Sequence, residues 1–263
     1  MDVVVTIRQT GILRGNPILT ADEKSVDITK LKRHINEWDQ YALEEALRIK
    51  ERKEAGITVV SVGDKKTEDA IYYCLAAGVN EGILIETEPS KYLDSWQIAS
   101  LLARVVSERP YDLVFSGVQS EDEGCAEVGA ILARMLDIPL SSTVIGIKSL
   151  IEGGTIEIQN ELEEGFYHIR TLELPALITI QTGINQPRYV SSLRLRNTKK
   201  KRKITKVSPE SLGINMMELD CKKMPKRLFI PEFGSAKLEL IDGASSNEKA
   251  NSLLGRLYDR GVL

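Results

Sequence analysis

The sequence predicts an α/β protein: an open, mainly parallel sheet with helices on both faces, followed by β-hairpins and an extended C-terminal arm. Three observations carry this. Up to about residue 147, short β-branched runs alternate with amphipathic segments, the pattern of a parallel sheet covered on both sides. After that point alternating runs are separated by turn signals, which is the grammar of hairpins. From Asn185 onward the chain turns Pro-, Ser- and Lys-rich and carries few regular signals before a short helical tail at 247–258.

The parallel strands are expected at Val3 to Ile7, Ile57 to Val62, Gly82 to Glu86, Asp112 to Ser116 and Thr143 to Ile147, with helices near 36–54, 66–77, 94–108 and 125–136. The first helix is the best signalled. Asn36 can cap it, Asp39 follows three residues later, and Ala42, Leu43, Ala46, Leu47 and Ile49 form an apolar stripe beside a Glu44/Arg48 pair. Gly78 suits a left-handed close of the second helix. Gly153-Gly154 and Glu164-Gly165 read as hairpin turns around Thr155 to Gln159 and Tyr167 to Leu172, and Leu177 to Ile180 reads as a buried strand. We divide the chain into an α/β domain with hairpins at 1–184, a basic segment at 185–206 and an arm at 207–263. An arm that cannot build its own core is expected to lie on another polypeptide.

With 263 residues, 42% of them hydrophobic, the chain can bury a substantial core. The net charge of -3 offers no global attraction to nucleic acid or to an anionic membrane. No stretch reaches the length and apolarity of a membrane helix, and the strand-like run at Val3 leads us to expect no signal or transit peptide. Cys74, Cys125 and Cys221 are too widely spaced for a disulfide framework or a metal knuckle, which fits a reducing, cytoplasmic setting.

In an open parallel sheet ligands settle at the carboxyl ends of the strands. The loop Gly117 to Gly129 runs from a strand straight into a helix. Its glycines let a ligand approach the backbone, and the helix start offers unpaired N–H groups to a phosphate. Glu121, Asp122, Glu123 and Glu127 would repel that phosphate while stabilising the helix start, so an acidic cap and a nucleotide loop account for the segment equally. His34 and His168 are the two histidines, too few for a Ser/His/Asp or His-rich metal site, and no phosphate-binding fingerprint follows any strand. Glu44/Glu45 and Glu163/Glu164 read as solvated faces and turns. This poverty suits a binding or carrier subunit better than an enzyme. The basic run Lys199 to Lys203 lacks interleaved aromatics, so it fits docking onto an acidic protein better than nucleic acid; the bland reading is an exposed strand flank.

Several segments in correct order carry a family likeness. Asn36-Glu37-Trp38-Asp39 running into Ala42 to Lys50, Leu75 to Ile83, Asp112-Leu113-Val114 with Gly117, Gln119, Asp122 and Gly129, then Leu174 to Thr179 and Asn185-Gln186-Pro187-Arg188-Tyr189 resemble the corresponding motifs of electron-transfer flavoprotein beta subunits. The resemblance spans nearly the whole chain. It implies a Rossmann-like, adenine-nucleotide-binding fold and a heterodimer whose larger alpha subunit holds most of the electron-transferring FAD. The beta subunit would also bury a second nucleotide, AMP or a second FAD, and exchange electrons with a flavin dehydrogenase or quinone oxidoreductase. By motif position the nucleotide would touch Thr6, Ile7, Asn36, Glu37, Trp38, Asp39, Val62, Gly117 and Gln119. It would also touch the loop of Asp122, Glu123, Gly124, Cys125, Ala126, Glu127, Val128 and Gly129, which continues to Ala133. Such a subunit positions a cofactor and excludes water, because the redox chemistry belongs to the flavin.

The segment after Tyr189 corresponds to a recognition loop that docks dehydrogenases through an exposed leucine. The anchor here falls on Leu193 or Leu195, with Lys199, Lys200 and Lys201 beside it. Three departures from the family pattern matter. Gly124 replaces an acid, Glu127 replaces a glutamine and Glu123 adds a charge, so phosphate contacts would have to come mainly from backbone N–H groups. Leu13 or a neighbour stands where an aromatic is usual. Asp94-Ser95-Trp96 resembles a segment of electron-bifurcating members, giving a second FAD a slight edge over AMP. The alternative to all of this is a stand-alone, universal-stress-type adenine-nucleotide-binding protein, which would need neither the Lys-rich segment nor the arm.

Overall fold

The computed structural model describes residues 1–13, 15–28, 31–88, 92–151, 154–231 and 238–263. They form two compact units, Met1–Leu228 and Phe229–Leu263.

In the first unit the strands and helices alternate in the expected way: β1 (Asp2–Thr6), α1 (Glu37–Arg52), β4 (Gly56–Gly63), α2 (Glu68–Ala77), β5 (Glu81–Glu86), α3 (Ser95–Ser107), β6 (Leu113–Gly117) and α4 (Val128–Leu136). Between β1 and α1 lies a small antiparallel pair, β2 (Gln9–Gly11) and β3 (Arg33–Ile35). Then follow β7 (Leu140–Ile151), β8 (Thr155–Glu161), β9 (Tyr167–Glu173), β10 (Ala176–Ile180), α5 (Ser192–Lys201) and β11 (Thr205–Val207). Among the described residues the main sheet runs β11-β5-β4-β1-β6-β10-β7-β8-β9, parallel from β11 to β7 and antiparallel from β7 to β9.

The side-chain period of two explains why both faces are covered. Val3 and Val5 point into a core with α1 and α2, while Val4 points into a second core with α3 and α4. Phe115 and Ile178 repeat the first choice, Val114 and Leu177 the second. A strand buried on both faces must be apolar on both, which is why the middles of these strands show no alternation with polar residues. Gly78 closes α2 with φ +133°, as expected of a residue free of Cβ. Glu164 and Gly165 both take positive φ in the β8–β9 turn, and Gly153 of the other expected turn lies outside the described residues.

Three expectations are corrected. Asn36 precedes α1 but makes no side-chain cap; its side chain reaches the loop after β6 instead. Glu44 and Glu45 are buried, not solvated, because the distant segment at 185–188 folds over them. Arg188 donates Nε to Glu44 Oε2 at 2.8 Å, and Asn185 donates Nδ2 to Glu45 Oε2 at 3.0 Å. Burial alone would raise the Glu44 carboxyl, but Arg188 holds it below the usual carboxylate range. The expected Glu44/Arg48 pair is present at 3.3 Å. The basic run, for which an exposed strand flank is the bland reading, begins in a helix: Lys199 to Lys201 end α5, and Arg202 and Lys203 lead from it towards β11. Ser191 caps α5 by accepting from the Arg194 amide, and β11 beyond it joins the edge of the sheet beside β5.

The second unit contains α6 (Ser246–Asp259), close to the expected tail helix, capped by Ser245 and tied through Arg260 to Glu239 at 2.7 Å. Among the described residues no helix is long and apolar enough to cross a membrane.

Candidate functional site

The chain leaves β1, builds outward to β4 and β5, then returns to place β6 on the other side of β1. That reversal opens a gap between the carboxyl ends of β1 and β6, since their connections depart in opposite directions. A narrow crevice, partly open to solvent, lies there.

Its floor is made by strand ends. Thr6 donates its hydroxyl to the Phe115 carbonyl at 3.4 Å, and Ser61 caps the Ile7 carbonyl at 2.6 Å. Val62 lines the β4 side. Below them Asp39 is buried, accepting from the Gly117 amide at 2.9 Å and the Arg8 amide at 2.7 Å. Burial pushes this carboxyl up to about 7 against the two amides and Asn36, which pull it down. Gly117 permits the arrangement: a Cβ there would fall 2.4 Å from Asp39 Oδ1 and 2.6 Å from Trp38 Cβ. Asn36 donates Nδ2 to the Gln119 carbonyl at 2.8 Å and accepts from the Glu121 amide at 3.1 Å. The start of α1 and the loop after β6 are therefore one hydrogen-bonded unit, completed by Glu121, which takes the Glu37 amide at 2.8 Å and His34 at 2.8 Å.

The loop from Ser120 to α4 forms the opposite wall. Gly124 and Ala126 adopt left-handed backbone, φ +61° and +55°. For Ala126 this costs about 1 kcal/mol, the kind of local strain that collects at binding sites. The amides of Cys125 to Ala130 donate no hydrogen bond to any described residue. Left-handed and right-handed residues in succession at Ala126 and Glu127 gather such amides into a concavity suited to an anion, and α4 adds the positive end of its dipole.

Of the expected residues, Thr6, Ile7, Asn36, Asp39 and Val62 line this crevice, as do Gly117, Gln119, Glu123 and the run Cys125 to Gly129. Glu37 and Trp38 do not. Glu37 is exposed, and Trp38 turns away to donate Nε1 to Gln181 Oε1 at 2.8 Å. Asp122 and Gly124 stand behind the lining, Asp122 as a partner of Arg8. Reading the sequence missed Arg8, Ser95, Ser116 and Ser120, which also line the space. Arg8 could have been found: it is the first residue past the strand run whose carboxyl end was already under suspicion. The carboxylates around Arg8 raise its pKa over the opposing effect of burial, so it stays charged. At the rim Lys223 pairs with Glu127 at 2.9 Å.

A separate region concerns docking. On α5 Leu193 is 68% exposed, while Leu195 is half-buried against the core of the α1–α2 side. Lys199 pairs with Asp69 at 2.5 Å and sits over the Tyr72 ring, whereas Lys200 and Lys201 are exposed.

Comparison with known proteins adds a family. Residues 25–212 match the profile of the electron transfer flavoprotein domain. The chain is 30% identical over 255 residues to an electron transfer flavoprotein subunit beta of Methylophilus methylotrophus, covering 95% of this chain and 96% of that one. It is 30% identical over 268 aligned positions to the protein of the same name from Thermoanaerobacterium thermosaccharolyticum, covering all of both. With the human protein of that name it shares 31% identity over 198 residues, 74% of this chain and 76% of that one.

Proposed function

Since the chain belongs to the electron transfer flavoprotein family, beside proteins named as its beta subunits, we propose that it pairs with a flavin-carrying alpha subunit and holds an adenine nucleotide in the strand-end crevice. The complex carries electrons between a flavin dehydrogenase and an acceptor such as a quinone oxidoreductase. Flavin, when bound, supplies the one- and two-electron chemistry. This chain's residues orient and shield. The observation that carries the nucleotide reading is the row of open amides from Cys125 to Gly129 along the crevice wall. These donors suit phosphate oxygens, and the Thr6–Ile7 floor with Ile98 and Leu102 offers an apolar seat for a base.

The nucleotide is AMP or a second FAD, and the complex works in the cytoplasm. Asp94 caps α3 with a full capping box, and Trp96 beside it is 38% exposed, the segment that tilts the choice toward FAD. The second compact unit and the preceding tail pack on the alpha subunit, and Leu193 on α5, with the lysines after it, docks the electron-exchange partner. A stand-alone nucleotide sensor is not favoured, because the relatives are subunits by name. Denaturing the purified complex and weighing the released nucleotides tests the reading. One FAD with one AMP, or two FAD, supports an occupied crevice; one FAD alone refutes it.

A further inference from the structure

Arg8 is, among the described residues, the one cationic side chain lining the crevice, and it is already engaged. Its Nε and Nη2 donate to Asp122 Oδ2 at 3.1 and 2.8 Å, and Nη2 donates also to Glu123 Oε1 at 2.7 Å. Its own amide is fixed by Asp39, so a change of partner would fall to the side chain alone. The opposing acids sit on the loop just before the left-handed pair Gly124 and Ala126. Glu121, one residue earlier, is separately anchored to His34 and to the start of α1.

The charges around this space are unfavourable to a phosphate. Glu123 and Glu127 line it together with Arg8, and Asp39 lies beneath. An anion seated against the open amides of α4 would meet carboxylates and no free cation, unless Arg8 turned toward it. A guanidinium fork matches phosphate oxygens as well as it matches carboxylates. The acids it would leave are 33% and 23% exposed at their side chains, so water can reach them in its place.

We infer that Arg8 is a partner-switching residue: the phosphate of a bound nucleotide displaces Asp122 and Glu123 from its guanidinium, and the site thereby selects a phosphorylated ligand over a bare nucleoside. This rests on the nucleotide reading above and adds the side chain that reads the phosphate. Filling the crevice sets the two acids loose on the loop surface, so the loop carries a different charge pattern when a nucleotide is bound.

The test is a mutant cycle on the purified complex stripped of small nucleotides, with AMP and adenosine as probes. Arg8→Gln weakens AMP about tenfold or more, the usual worth of a charge-assisted pair, and leaves adenosine unchanged. Asp122→Asn with Glu123→Gln tightens AMP several-fold, and this gain disappears when Arg8→Gln is added, because the acids act by occupying Arg8. If the Gln variant fails to fold, Arg8→Lys takes its place in the cycle, keeping the charge without the fork. Unchanged AMP affinity in Arg8→Gln, or a gain that persists in its background, overturns the switch and shows acids that merely repel. Wild-type complex that binds neither AMP nor adenosine, and releases no second FAD on denaturation, brings down the nucleotide reading itself, and the switch with it.

Discussion

Asp39 is the residue on which the crevice turns, for it holds the ends of two strands' loops from inside the protein. Its folded-state affinity for a proton is raised, so the stability it confers is full below the ordinary carboxylate range and fades as pH climbs to about 7. Asp39→Asn abolishes that titration and also spoils one of two accepted hydrogen bonds, at about 1–3 kcal/mol. The advantage of wild type over the variant in urea unfolding therefore narrows between about pH 4 and about pH 7. An advantage constant with pH contradicts the raised proton affinity. The motif Asn36 to Asp39 was visible in the sequence, but the roles within it were not. Asn36 looked like a cap and Asp39 like its companion, because local spacing says nothing about a loop some 80 residues away that offers both of them better partners.

At the scale of elements, the alternating runs and amphipathic segments placed β1, α1, β4, α2, β5, α3, β6 and α4 within a few residues, though not the short pair β2 and β3, since period two and period 3.6 are written directly in apolar positions. Helix α5 escaped because it buries none of its residues fully and so shows no stripe. Its signals were a capping Ser191 and a row of good helix formers, easily taken for a solvated tail. The helix turns Leu193 outward and Leu195 inward, which separates two candidates the linear sequence left level. Leu193→Ala accordingly slows electron exchange with the partner dehydrogenase several-fold while flavin content is unchanged, measured by stopped-flow reduction of the complex. Leu195→Ala instead costs about 2 kcal/mol of stability through lost packing. An equal kinetic effect from both substitutions would remove the leucine anchor. The burial of Glu44 and Glu45 was hidden for a related reason: their cover, Asn185 and Arg188, is supplied some 140 residues later.

The whole molecule presents a sheet with unequal borders. On one side β11 is three residues long, and its strand neighbour β5 packs against α2, on which α5 lies in turn. The opposite border, β9, spans seven residues with all but Leu172 exposed, and Tyr167 and Ile169 on it join Phe166 at 65% exposed in the adjoining turn. Replacing Phe166 and Ile169 by threonine should raise the soluble yield of the chain made alone and weaken its recovery with the alpha subunit, read by co-purification; unchanged values in both would make this border inert. An unguarded strand with bare peptide groups and aromatic side chains recruits whatever strand it meets. On the proposed pairing, a newly made copy without its companion is expected to associate with its own kind through this border. Output of the two polypeptides would then need to be matched, or the surplus cleared before it clumps.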